Sequence, residues 1–181
     1  MTEPLRSTEF RVLRQTIASR GTTRMILVLV TCLGWAALTL TVLLFAAPPV
    51  ATLLPLAVLV GGFGAVHALH AGTERIGRYL QVYYEGDPGG PQWETTAMTV
   101  GPALPGGGID PLFSAVFVGA TLLNLAPALL SQPTTAELAV IGVLHAAFVF
   151  RVVRARGAAS RQRAVELESF KALMIRERAR D

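Results

Sequence analysis

The groups in this chain with the types and spacing for chemistry are three histidines and a run of polar residues. His67, His70 and Glu74 recur at i, i+3 and i+7. At 100° per residue they share a helix face with Arg78, Gln81 and Glu85, all inside a wedge of about 80°. Imidazole and carboxylate groups on one face suit zinc or iron. His145 is the remaining histidine. Counted inward from the first charged residue on each segment, Glu74 or Arg151, His67 and His145 come out nearly level. Facing imidazoles at one level would supply the axial ligands of a haem. Counted from the opposite ends they fall more than a turn apart, so convergence of all three is not required. The plainer reading is that His67 and His70 hydrogen-bond to neighbouring helices, while Glu74, Arg78, Gln81 and Glu85 form the wet side of a stalk. We take that reading first: no cofactor is expected, with a metal ion on His67, His70 and Glu74, or a haem on His67 and His145, as the alternative.

Other chemistries leave no trace in the spacing. There is no Walker loop, no metalloprotease helix and no nucleophile elbow. PALPGGGID is rich in glycine but lacks the G-K-[ST] of a phosphate loop. No Asp, Glu, Lys or Arg lies deep in an apolar block, where coupled transporters place an ionisable group. An enzyme is therefore not expected.

The elements that hold these residues are membrane helices. Of the 181 residues 52% are hydrophobic and only 15% charged, against about 25% charged in a soluble domain. The mean hydropathy is +0.50. The excess sits in four blocks. Residues 25–47 carry no charge and form span 1, closed by Pro48 and Pro49. Span 2 covers 51–72, with Pro55 tolerated near its start, and its helix continues to about 85. Asp110 and Pro111 signal the start of span 3, 111–130, and Asn124 and Pro127 are placed to bend it. Thr134 and Glu137 read as a capping box that opens span 4, 135–153. Its uncharged part, Leu138–Phe150, is short, so Arg151 and Arg154 belong at the membrane edge.

The flanking pieces are polar. Residues 1–24 hold Phe10, Leu13 and Ile17 at i, i+3, i+7, an apolar stripe on a helix that Gly21 is expected to end. That helix suits either the headgroup layer or a surface of the same chain, and it does not read as a cleavable signal. The segment 86–110 is a Gly- and Pro-rich loop, in which WETTAM suggests a short turn. Gly157 is expected to loosen the chain before a final helix over 158–180, within the cytoplasmic segment 155–181, with Val165, Phe170, Leu173 and Met174 near one face.

The arginines orient the chain. All 16 basic residues lie before span 1, just after span 2, or from Arg151 onward. The positive-inside rule then puts both termini and the middle segment in the cytoplasm, in the inner or plasma membrane if the source is bacterial. The net charge of +4 and pI near 10.0 follow from this placement, and no nucleic-acid module is present. Cys32, the one cysteine, lies in span 1 and reads as a packing residue.

The expected fold is all-α: a polytopic membrane protein of four spans in two antiparallel hairpins, with 25–154 as the membrane domain and cytoplasmic amphipathic helices on either side. Gly61, Gly62 and Gly64 bare one face of span 2 for close helix packing, and Asn124 is expected to bond across to a neighbour. The function expected is a non-enzymatic accessory, assembly or oligomer-forming subunit, partnered by the bilayer and by its own copies or other membrane subunits. A redox or metal-binding membrane protein is the rival, and a passive channel or lipid-handling protein a third reading.

Overall fold

In a computed structural model of the chain, residues 3–86, 91–100 and 111–180 are described. Among them every regular element is helical. Helix α1 is Glu3–Leu44, a 3-10 turn covers Pro49–Thr52, and α2 is Leu53–Tyr83. Helix α3 is Trp93–Val100, α4 is Pro111–Leu123, α5 is Leu125–Leu130 and α6 is Thr135–Arg178. Four helical stretches are long and apolar enough to cross a membrane: Pro4–Leu44, Pro49–Tyr83, Phe113–Leu130 and Thr135–Ala155. The Asp110 cap and most of the 86–110 loop lie outside the described residues.

Two expected breaks do not occur. Gly21 sits inside α1 and Gly157 inside α6. A helical glycine costs roughly 1 kcal/mol relative to alanine, a loss that helices of 42 and 44 residues absorb. Helix α1 has 42 residues, about 60 Å at 1.5 Å per residue. The end of α1 falls short of the proline pair. The Ala46 amide bonds to the Leu43 carbonyl at 3.3 Å and the Ala47 amide to the Val42 carbonyl at 3.1 Å. This is a Schellman closure, and it holds Ala46 at φ 46°, a conformation that usually falls to glycine. WETTAM belongs to a true helix, α3. The expected bend in span 3 is a break at Asn124, between α4 and α5.

The chain divides into two compact units. Unit 1 is Met1–Thr23, Ala68–Ile109 and Gly157–Asp181; unit 2 is Arg24–His67 and Asp110–Arg156. Unit 2 holds the apolar cluster: Leu59, Phe63, Val66, Phe117, Phe148 and Val152 are buried together, with Leu27, Val28 and Trp35 of α1 packed against them. Phe63 meets Phe117 and Phe148 edge-on, with ring centroids 5.3 and 5.9 Å away. The surface of this unit is also apolar. Leu33, Leu44, Phe45, Leu130 and Val143 are all more than 60% exposed. An interior and an exterior that are both apolar define a membrane protein, since apolar exposure on this scale is not stable in water.

Unit 1 is built differently. It buries Leu80 and Val82 and carries a group of aromatic contacts: Phe10 lies 5.4 Å from Tyr84, and Tyr79 packs on Tyr83 and Phe170. Polar bonds join its segments, as the next section describes. The residues Phe10, Leu13 and Ile17 of α1 are half-buried, so within this unit the N-terminal segment packs on its own chain.

Candidate functional site

Each unit encloses a polar network. The one in unit 2 is centred on Asn124, which is fully buried at the α4–α5 break. An asparagine amide offers two donors and two acceptor sites. Its Nδ2 donates to the Thr52 carbonyl at 2.9 Å and lies 3.0 Å from His145 Nε2. Its Oδ1 accepts from Trp35 Nε1 at 3.1 Å. Thr39 Oγ1 stands 3.4 Å from the same oxygen, but has a shorter 2.8 Å bond to the Trp35 carbonyl that claims its proton. His145 Nδ1 lies 2.7 Å from the Ile141 carbonyl. A carbonyl only accepts, so Nδ1 carries the proton and Nε2 is free to accept from Asn124. One side chain therefore ties α1, the 3-10 turn, the α4–α5 break and α6 together. The bond across to a neighbour expected of Asn124 is present, three times over.

The network in unit 1 is ionic. Arg78, only 5% exposed, places Nη2 2.7 Å from Glu166 and Nη1 3.3 Å from Glu74. Arg75 reaches Glu166 at 3.0 Å and Arg163 reaches Glu74 at 2.8 Å. Two carboxylates and three guanidinium groups thus lock α2 to α6. Burial raises the Glu166 carboxyl, but hydrogen bonds from Arg78, Gln162 and Arg75 outweigh it and hold the group below its ordinary value. A second cluster surrounds Glu9, which accepts from Tyr79 at 2.9 Å and Tyr84 at 2.7 Å. Burial, then donation to the Glu9 carboxylate, push the Tyr84 phenol well up. A third feature is the Glu85 carboxylate, which accepts from the Glu94 amide at 2.7 Å and the Thr95 amide at 2.6 Å. It caps α3 by satisfying donors that a helix start leaves open. Glu94 in turn takes an ion pair from Arg14 at 2.8 Å. Burial raises the Glu94 carboxyl, and Arg14 only partly offsets it.

The polar stripe of α2 is therefore not the wet side of a stalk. Arg78 and Glu85 are each 5% exposed, and Glu74 and Gln81 are half-buried. Glu74, Arg78 and Gln81 lie on α2, whereas Glu85 falls just past its end; α6 covers Arg78 and Glu74, and α3 covers Glu85, which periodicity does not reveal. The partners Glu166, Arg163 and Glu9 were not singled out from the sequence, because their role depends on contacts between distant segments.

The three histidines have different surroundings. His67 belongs to unit 2 and stacks on Phe63, with centroids 5.8 Å apart and planes 9° apart. His70 is buried in unit 1. Both ring nitrogens of His145 are engaged in the Asn124 network. Glu74 is occupied by Arg78 and Arg163. Among the described residues no three His, Cys, Asp or Glu side chains come close enough to hold a metal, so the His67, His70 and Glu74 spacing does not assemble into a metal site here. An axial haem bond from His145 would have to replace its bond to Asn124 or to Ile141.

The three glycines expected to form a packing patch on α2 have three different surroundings. A Cβ on Gly62 would overlap the Thr31 side chain of α1, and one on Gly64 would lie 3.7 Å from Arg151 Nη2 of α6. A Cβ on Gly61 would meet nothing within 4 Å. Ala57 and Ala65, one turn to either side of Gly61, are exposed as well. Comparison with known protein families, with curated proteins and with solved structures finds no match.

Proposed function

We propose that the protein is a multi-pass membrane protein that works by association, as an accessory, assembly or oligomer-forming subunit, through the exposed Ala57–Gly61–Ala65 stripe of α2. The four spans form two antiparallel hairpins, with both termini on the cytoplasmic side, a reading supported by the placement of the arginines. The observation that carries the association is the contrast between adjacent glycines. Gly62 is used inside the molecule, against Thr31, while Gly61 opens onto empty space. Lipid gains nothing from a bare backbone, because its tails pack equally well on leucine. A second helix does gain, since small residues at four-residue spacing let the two backbones approach closely.

The test uses that contrast. Gly61→Ile adds bulk where nothing inside the chain is in the way, so the monomer should fold normally. Association, followed by native mass spectrometry in mild detergent and by cross-linking in membranes, should weaken about tenfold. A wild-type protein that is monomeric and brings down no partner would count against the proposal, as would a Gly61→Ile variant that associates unchanged.

A further inference from the structure

Four arginines of unit 1, Arg14, Arg75, Arg78 and Arg163, pair with acids, whereas two exposed arginines of unit 2 do not. Arg151 and Arg154 lie on α6, directly after the uncharged stretch Leu138–Phe150, and both are exposed. Among the described residues neither makes an ion pair. The sequence contains no Asp or Glu between Glu137 and Glu166, nor between Glu9 and Glu74, so neither the 138–165 stretch of α6 nor the part of α2 before Glu74 holds a carboxylate. Residues three apart on a helix are neighbours, and like charges at that spacing repel. An anion bound between them removes the repulsion.

The two guanidinium groups are also positioned. Arg151 reaches across to α2, where its Nη2 lies 3.7 Å from the position of a Cβ on Gly64, an ordinary van der Waals distance. Arg154 lies over the Phe150 ring at 5.4 Å, a cation–π contact that orients its planar face. On α1 of the same unit, Arg24 is held 4.9 Å from the Phe113 ring. Arginine presents a rigid fork of donors that matches phosphate oxygens in pairs. The arginines sit where an apolar helix first becomes charged, which is the level of the lipid headgroups.

We infer that Arg151 and Arg154 form a binding site for the phosphate of an anionic phospholipid headgroup. The inference concerns the α2–α6 edge of unit 2 and does not depend on the Gly61 stripe. Each basic residue near an anionic surface is worth about fivefold in binding.

The full chain in mild detergent, titrated with phosphatidylglycerol or phosphatidylcholine and read by native mass spectrometry, tests it. The wild type should retain phosphatidylglycerol in preference, and R151Q/R154Q should bind it about 25-fold more weakly while its phosphatidylcholine binding stays unchanged. R151K/R154K keeps the charge and should keep most of the preference. If R151Q/R154Q does not fold, R154Q alone should show about a fivefold loss. Equal retention of the two lipids by the wild type would overturn the inference, as would an unchanged preference in a folded glutamine variant. Displacement of phosphatidylglycerol by millimolar inorganic phosphate would also overturn it, since the site would then be a free-anion site and not a headgroup site.

Discussion

At the residue scale the molecule depends most on Asn124. Its amide satisfies groups on three other segments at once, inside a unit whose surroundings are apolar. Asn124→Leu should lower stability in detergent by about 2 kcal/mol, since bonds of this kind in membranes average somewhat under 1 kcal/mol each. Asn124→Asp should cost more. A carboxylate cannot donate to the Thr52 carbonyl or to His145 Nε2, so acceptors would face each other in a buried space. Thermal unfolding of the two variants checks this, and an Asp variant as stable as the wild type would contradict the assigned donor pattern. Gly62→Ala makes a second residue-scale prediction. The added methyl group runs into Thr31 and should destabilise by roughly 1–3 kcal/mol, with partial recovery when Thr31→Ala is added. Sequence alone shows that Asn124 needs partners, because a lone amide in an apolar run has few other options. It does not show that they are Trp35, Thr52 and His145, because nothing local links those positions. Likewise the glycine patch is visible as a patch, but which glycine faces inward depends on the rotation of α2 against α1.

At the element scale the legible features are those closed by near neighbours. The capping box is one: the Thr134 amide donates to Glu137 at 2.9 Å, and the Glu137 amide to Thr134 Oγ1 at 3.3 Å. The illegible ones depend on length and distant contact. Gly21 and Gly157 read as punctuation, yet long helices absorb them. Arg78 reads as wet, yet α6 covers it. The α2–α6 lock is pH-sensitive in a defined direction. Glu166 is held below the ordinary carboxyl value of 4.5, so its contribution is complete above about that pH and is lost as the pH falls through the lower folded value. Hydrogen-exchange protection in 163–177, corrected for the intrinsic pH dependence of exchange, should therefore fall once the pH drops below the ordinary carboxyl value of 4.5, before that of the membrane-spanning helices. Glu166→Gln should exchange faster at neutral pH and lose most of that acid dependence. At the other end of α1, Ala46 occupies a left-handed conformation at φ 46°. Ala46→Gly should stabilise the protein by up to about 1 kcal/mol, read as a rise in its unfolding temperature.

At the scale of the whole molecule, composition alone foretold an all-helical membrane protein with four apolar stretches, because the length of each uncharged run is set by the thickness of the bilayer. The exposed leucines of unit 2 bear this out, and the protein should stay with the membrane fraction through alkaline carbonate washing. The orientation proposed from the arginines makes a separate prediction. Reporter fusions at residue 181 and within 86–110 should both read as cytoplasmic, and a segment 86–110 that reads as external would reverse the topology.

The Asn124 network also bears on how the chain is made. Trp35 and Thr52 precede Asn124 in synthesis, whereas His145 follows it. Until the last apolar segment enters the bilayer, one amide hydrogen of Asn124 has no acceptor, which is costly in hydrocarbon. Completion of the network thus marks the moment when every span is in place. A truncated or misinserted chain would carry an unsatisfied amide that quality-control proteases of the membrane can recognise.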